Sequence, residues 1–203
     1  MLTKSWFSTR SALAIVLVVV AATVASCAKH EETTTSDNTT TPPPDTSMGM
    51  TAAPLTDANI AAIVVAANTA DIKNGELAKS KSKNAEVTAF ANQMVTDHTA
   101  VNKQATDLVT KLNVTPEPND TSRQLESGAE ATRGGLQGMD GAAFDKAYID
   151  NEVAYHQQVL DALDQTLIPN AQNAELKALL ESSRPTFAAH LDHAKKVQAD
   201  LAK

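Results

Sequence analysis

Three histidines occupy positions that would face the core of a helical protein. His98, His156 and His190 lie in MVTDH (94–98), EVAYH (152–156) and FAAHLDH (187–193), in register with the apolar residues around them. An imidazole that is buried without a partner costs about 1–3 kcal/mol, so each ring needs a hydrogen-bond partner or a metal ion. The sequence therefore predicts a polar site inside a helical bundle.

Two carboxylates are placed to join these histidines. Asp71 lies on or beside the apolar stripe of its own predicted helix, and Glu152 precedes His156 by four residues. Residues four apart share one face of a helix, which suits a chelating pair. Imidazole and carboxylate donors together suit zinc, copper or iron. One hypothesis is therefore a mononuclear transition-metal site formed by Asp71, His98, Glu152, His156 and His190.

The second hypothesis is a hydrogen-bonded core without metal. His98 would bond to Glu152 or Tyr155, and His190 would bond to another helix, so that the polar contacts fix the register of the helices. Asp97 is then expected to face solvent or to cap a neighbouring turn. Met94, Tyr148 and Phe187 are expected in the core. The sequence leaves both hypotheses open.

The spacing of these residues argues against a catalytic centre. Di-iron bundle proteins use a Glu-x-x-His spacing on two helices. Here Glu152 and His156 have three residues between them, and His98 follows Asp97 directly. The chain also lacks a glycine-rich phosphate loop, a Gly-x-Ser-x-Gly elbow and a His-Glu-x-x-His helix. We therefore expect no enzyme and assign no catalytic residue.

Four long amphipathic helices must position the site. The apolar residues recur at helical spacing, and the chain is rich in Ala, Leu and Lys, which favour helix over sheet. Pro185 is expected to kink the last helix or to start a new one there. The predicted helices span about 56–81, 84–112, 142–167 and 172–202.

The connections between these helices predict an all-α, ferritin-like four-helix bundle. Segments 82–84 and 168–171 are short, so each joins two antiparallel neighbours. Segment 113–141 is long, contains five of the seven glycines and can form only a short helix around 122–132. Because a 28-residue helix is ~42 Å long, a connection of this size can return the chain to the other end of the bundle. One long crossover is predicted, with an up-down-up-down bundle as the alternative.

The N-terminus has the pattern of a lipoprotein signal peptide. Residues 1–26 combine Lys4 and Arg10 with an apolar stretch over 12–22, which is too short for a stable membrane span. Val24-Ala25-Ser26-Cys27 resembles the bacterial lipobox, in which the cysteine becomes the lipidated first residue. Cys27 is the only cysteine, so no internal disulfide can form. The alternatives are an ordinary cleaved signal and a retained helical anchor.

Residues 27–54 are expected to be a disordered tether and residues 55–203 the folded domain. The tether is rich in threonine and proline and has little to bury. Without residues 1–26 the chain has 15 basic and 24 acidic residues, a net charge of −9, which argues against nucleic acid and anionic lipid as partners. We expect membrane contact through the lipid anchor alone. Ala28, in place of an inner-membrane-retaining Asp, favours the outer membrane facing the periplasm. Protein partners stay unidentified.

Three motifs within about residues 57–200 carry a family resemblance: Met94-Val95-x-Asp97-His98, Phe144-Asp145-x-x-Tyr148 and Pro185-x-x-x-x-His190. Together they resemble a bacterial family of domains of unknown function that is often labelled as outer membrane proteins and classed as ferritin-like. The resemblance implies an exported four-helix bundle, and the family has no agreed activity. It commonly has Glu at position 71, where this chain has the shorter Asp71.

Overall fold

The computed structural model describes residues 54–203, in which every regular element is helical and no strand occurs. The predicted signal peptide, Cys27 and nearly all of the predicted tether lie outside the described residues. The all-α prediction is confirmed. In the described part of the chain, no helix combines the length and the apolar character that a bilayer crossing needs. The helices are α1 (Asp57–Lys81), α2 (Ala85–Lys111), α3 (Asp120–Gln137), α4 (Gly141–Ala162), a π-helical turn (Leu163–Leu167), α5 (Ile168–Asn170) and α6 (Ala174–Leu201).

Side-chain caps determine where the long helices begin. Thr56 starts α1 through a capping box with Asn59. Asn84 starts α2 and Asn173 starts α6, and each side chain accepts two backbone N–H groups of the first turn. Such caps satisfy donors that a helix cannot satisfy itself. The same Asn-Ala-Glu sequence thus marks the start of both helices.

The connection between α2 and α4 runs the full length of the bundle, whereas the other connections between long helices stay at one end. At the end where α1 begins, the Glu117 N–H donates to the carbonyl of Ala58. At the other end, Lys81 Nζ donates to the carbonyl of Gln137. Helix α3 therefore runs alongside α1 and carries the chain from one end to the other. The predicted long crossover is confirmed, and the up-down-up-down alternative is wrong.

Helix α3 is longer than the short helix predicted over 122–132. It has 18 residues, begins at an Asn119 capping box and ends at Gly138. Glycines inside a helix cost about 1 kcal/mol each. Gly128, Gly134 and Gly135 nevertheless lie within α3, which is held against α1. The prediction was wrong because it treated these glycines as helix breakers and ignored packing.

Helix α1 is buried on two sides because α2 and α3 both pack against it. Ala66 and Ala70 face α3, while Gly75 faces α2. A Cβ at Gly75 would lie 2.9 Å from Val95 Cγ2 and 3.1 Å from the carbonyl oxygen of Ala91. The close approach of α1 and α2 thus requires glycine at this position.

Pro185 does not start a new helix, contrary to one of the two predicted outcomes. Helix α6 continues through it from Ala174 to Leu201. Proline removes one helical hydrogen bond, the one to the carbonyl four residues earlier, which belongs to Glu181. Pro185 and Glu181 are both exposed, so this carbonyl lies at the solvent-facing side of the helix.

Two apolar clusters fill the bundle, with a polar layer between them. The cavity core lies at the end where α1 begins and includes Ile60, Ile63, Val64, Val101, Ala105, Leu160, Leu163, Leu167, Leu176, Leu180 and Phe187. The tight core lies at the other end and consists of Ala78, Val87, Phe90, Ala91, Met94, Leu136, Phe144, Tyr148, Ile149, Ala194 and Val197. Both clusters and all the helices described here lie within residues 54–203, which belong to one compact unit. We expect this unit to fold by itself.

Candidate metal centre

The helices bring all five predicted site residues into one buried layer. We call this layer the polar centre, and none of its members is more than 2 % exposed. Helix α1 contributes one residue, α2 one, α4 two and α6 one. The short Asp71 reaches the site, since its Oδ2 lies 3.0 Å from His98 Nε2 and 3.4 Å from His156 Nε2. The polar centre consists of Asp71, His98, Glu152, His156 and His190.

His98 is oriented by Asn68. The amide nitrogen of Asn68 donates to the carbonyl of Val64, at 2.8 Å, which turns its Oδ1 toward the ring. His98 Nδ1 lies 2.8 Å from this oxygen, which can only accept, so Nδ1 carries the proton. In the neutral ring Nε2 then presents its lone pair to the interior of the polar centre.

In each of the other two histidines, one ring nitrogen also donates to an oxygen and the other faces the interior. His156 Nδ1 lies 3.0 Å from the backbone carbonyl oxygen of Glu152, and His190 Nε2 lies 2.9 Å from Asp97 Oδ2. Both oxygens accept hydrogen bonds. His156 Nε2 and His190 Nδ1 therefore carry the lone pairs that face inward. Metal-binding histidines almost always hold their second nitrogen in this way.

The inward atoms are left without hydrogen bonds. Within the described part of the chain, this holds for both oxygens of Asp71, Oε2 of Glu152 and the inward nitrogen of each histidine. Asp71 Oδ2 and His98 Nε2 are close but not aligned as donor and acceptor. Buried polar atoms in proteins are normally paired, so a cluster of unpaired ones requires an explanation.

The spacing of these atoms suits one ion. His98, His156 and His190 each offer a ligand atom within 4.8 Å of the others, and so do Asp71, Glu152 and His156. Ligands held about 2.0–2.2 Å from one zinc ion lie at most about 4.4 Å apart. The three ring centroids lie 5.2–5.6 Å apart, as in a roughly equilateral triangle. His156 belongs to both groups, so the five side chains together offer the donors of one metal site.

Burial and neighbouring charges control the protonation of the centre. Burial lowers the pKa of His156, and it lowers the pKa of His190 to about 4, so both rings are neutral at pH 7. Burial alone would raise the pKa of Asp71, but the attraction that His98 and, less strongly, His156 exert when they are protonated, with the contacts to His98 and Glu152, lowers it to about 2. Burial and the charge of Asp71 raise the pKa of Glu152 well above its usual value. The centre thus holds one carboxylate whose ionisation depends on a nearby positive charge.

Two predicted contacts were wrong. His98 does not bond to Glu152 or Tyr155, because Asn68 and Asp71 on α1 lie closer, and the Tyr155 hydroxyl donates to the carbonyl of Ala67. Asp97, on α2, does not cap a turn: its side chain is about one-third exposed, as expected, but one of its oxygens binds His190. The contact of His190 with another helix is thereby confirmed.

Sequence reasoning missed Asn68 and the role of Asp97. Asn68 lies three residues before Asp71, and therefore on the same face of α1. That spacing could have indicated that Asn68 belongs to the site. For Asp97 there was none, because its partner is 93 residues away.

Comparison with curated proteins and with solved structures gave no match. One family model, described as a domain of unknown function (DUF4142), matches residues 40–197, which is most of the chain. The match spans all four long helices up to Val197, and with them every residue of the polar centre. The chain therefore belongs to the family of domain of unknown function DUF4142.

Proposed function

We propose that the polar centre binds a single divalent transition metal ion. The observation that carries this proposal is the orientation of the three histidines. The outer N–H of each ring donates to an oxygen, which leaves the second nitrogen of each ring buried without a hydrogen bond, and the three rings each offer a ligand atom within 4.8 Å of the others. Asp71 adds a carboxylate there, within reach of His98 and His156.

The donor set indicates the class of metal. Imidazole nitrogen suits zinc, copper and iron, whereas calcium and magnesium prefer a shell of oxygens. Three imidazoles and the Asp71 carboxylate supply four donors, the number that a tetrahedral shell needs, and Glu152 supplies a fifth. The cation would also provide the positive charge that Asp71 requires in the core.

A purely hydrogen-bonded centre explains less of the geometry. It accounts for the outer nitrogens of the three rings, which have oxygen partners. It leaves the inward nitrogens without aligned partners and gives the Asp71 carboxylate only the protonated Glu152 as a donor, and each unsatisfied buried group costs about 1–3 kcal/mol. A metal ion satisfies all of these atoms at once.

The test is metal-dependent stability of the full chain and of two histidine variants. With free Zn²⁺ at 100 times the Kd, binding stabilises the folded state by about 2.7 kcal/mol. This corresponds to a rise in Tm of roughly 5–10 °C. We expect that rise in the wild type, its reversal by a chelator, and its loss in His156→Ala.

His193→Ala is the matched control. His193 is a partly buried histidine on α6 that bonds to Gln93 and lies outside the polar centre. The variant should keep the full response to zinc. Absence of any response to Zn²⁺, Cu²⁺ or Fe²⁺ in the wild type, or its equal loss in His193→Ala, would overturn the proposal.

We propose further that this domain is a ferritin-like relative held in the cell envelope by a lipid on Cys27. The lipobox-like residues 24–27 and the Thr/Pro-rich segment after them support this. The outer membrane facing the periplasm is the proposed location. Cys27→Ala should abolish incorporation of labelled fatty acid and release the protein from membranes, and an unchanged membrane fraction would refute the anchor.

A further inference from the structure

A half-enclosed cavity of about 400 Å³ lies in the cavity core. Helices α1, α2, α3, α4 and α6 and the π-helical turn all contribute to its wall. Small-molecule sites in proteins measure about 300–1,000 Å³. The cavity is therefore large enough for a small molecule and is not merely a packing defect.

The local sequence explains why this space stays open. Ala67 on α1 and Ala162 at the end of α4 place methyl groups where larger side chains would fill it. The π-helical turn follows Ala162, and its residues Leu163, Thr166 and Leu167 also line the cavity. Insertions of π-helix into α-helices are rare and often occur at functional sites.

The wall is apolar, and its buried polar groups are paired except for His98 Nε2, which belongs to the polar centre. Asn68 bonds to Val64 and His98, the Tyr155 hydroxyl donates to Ala67, and the Ser183 hydroxyl donates to Leu179. Among the described residues, the lining includes no Asp, Glu, Lys or Arg. A charged ligand would find no counter-charge there, and burying it would be costly.

Free polar groups occur only where the wall meets solvent. Thr121 on α3, Gln158 on α4 and Thr166 in the π-helical turn line the cavity and are exposed. They can bond a neutral polar end at the rim, while the apolar body of a ligand fills the interior.

We propose that this cavity is a binding site for a neutral, apolar small molecule with at most one uncharged polar end, such as a medium-chain alcohol. His98 is the one member of the polar centre that lines it. The proposal does not rest on metal binding, because the cavity is formed by the apolar residues of the cavity core.

The experiment uses the full chain and the fluorescent probe 1-aminoanthracene. We expect saturable binding of the probe and its displacement by 1-octanol, but not by octanoate. Ala162→Phe should weaken binding at least tenfold by filling the cavity. Ala143→Phe, on an exposed site of the same helix, is the matched control and should bind as the wild type does.

A second measurement avoids reliance on a variant that could misfold. In methyl NMR spectra, 1-octanol should shift the signals of Ile63 and Leu163, which line the cavity, and leave Ile149 in the tight core unchanged. No saturable binding, equal binding to Ala162→Phe, or shifts in both cores would overturn the proposal. So would binding to residues 50–203 but not to the full chain, since the chain's own N-terminal segment would then be the occupant.

Discussion

The two apolar cores are built from the same four long helices and differ in how completely they are filled. In the tight core, Phe90, Phe144, Tyr148 and Ile149 are all 0 % exposed, and Phe90 and Phe144 each have a ring centroid 6.2 Å from that of Tyr148. The cavity core is mainly aliphatic, and several of its side chains keep some exposure around the open space. The aromatic residues and Gly75 leave no space in the tight core. The cavity core, by contrast, has room for a ligand.

This difference assigns the two ends separate tasks. The tight core holds the register of α1, α2, α4 and α6, which the polar centre needs because its ligands come from all four. The cavity core is less completely packed, and the wall of its cavity is accessible and includes His98. Binding regions are commonly drawn from the less stable parts of a fold.

The largest change in stability is expected when a phenylalanine in each core is replaced by alanine. Phe90→Ala should lower the free energy of unfolding by about 3–5 kcal/mol, because the ring is fully buried. In Phe187→Ala the loss should be smaller than in Phe90→Ala by at least about 1 kcal/mol, since Phe187 already borders empty space. Denaturant unfolding of both variants measures the difference, and equal losses would contradict the contrast between the cores.

A glycine substitution tests the close approach of α1 and α2. Gly75→Ala should destabilise the fold by about 1–3 kcal/mol, because the new Cβ would press on Val95 and on the Ala91 carbonyl. The control is Gly128→Ala on α3, where a Cβ meets nothing within 4 Å. That change should stabilise by up to about 1 kcal/mol. If both substitutions changed the free energy of unfolding in the same direction, the account of the tight core would be wrong.

The smallest expected effect concerns a feature that the two ends share. Asn84→Ala at the tight end and Asn173→Ala at the cavity end each remove a cap that accepts two backbone N–H groups. Each should cost about 1 kcal/mol, with no difference between the ends. Thermal unfolding checks this, and a much larger loss at one end would show that the caps are not equivalent.

Local patterns in the sequence predicted the helices and the faces that carry the site. The spacing of His98, His156 and His190 relative to their apolar neighbours was sufficient to place all three inside. The length of segment 113–141 was sufficient to predict the crossover. Both inferences depend on residues close together in the chain.

The remaining features depend on how distant segments meet. Asn68 and Asp97 bind histidines 30 and 93 residues away, and the spacing within one helix carries no information on such pairs. The length of α3 depends on its packing against α1, which outweighs its glycines. The cavity is lined by small residues on two different helices, Ala67 and Ala162, and only the assembled bundle shows the space that they leave.

The central claim is that the inward lone pairs of the polar centre share one metal ion. It is tested most directly by anomalous X-ray diffraction, at the zinc absorption edge, from crystals of residues 50–203 grown with Zn²⁺. We predict one strong peak about 2.0–2.2 Å from His98 Nε2, His156 Nε2 and His190 Nδ1, with Asp71 Oδ2 as a further ligand. A polar centre without a peak, in crystals that bind zinc only at surface carboxylates, would contradict the claim.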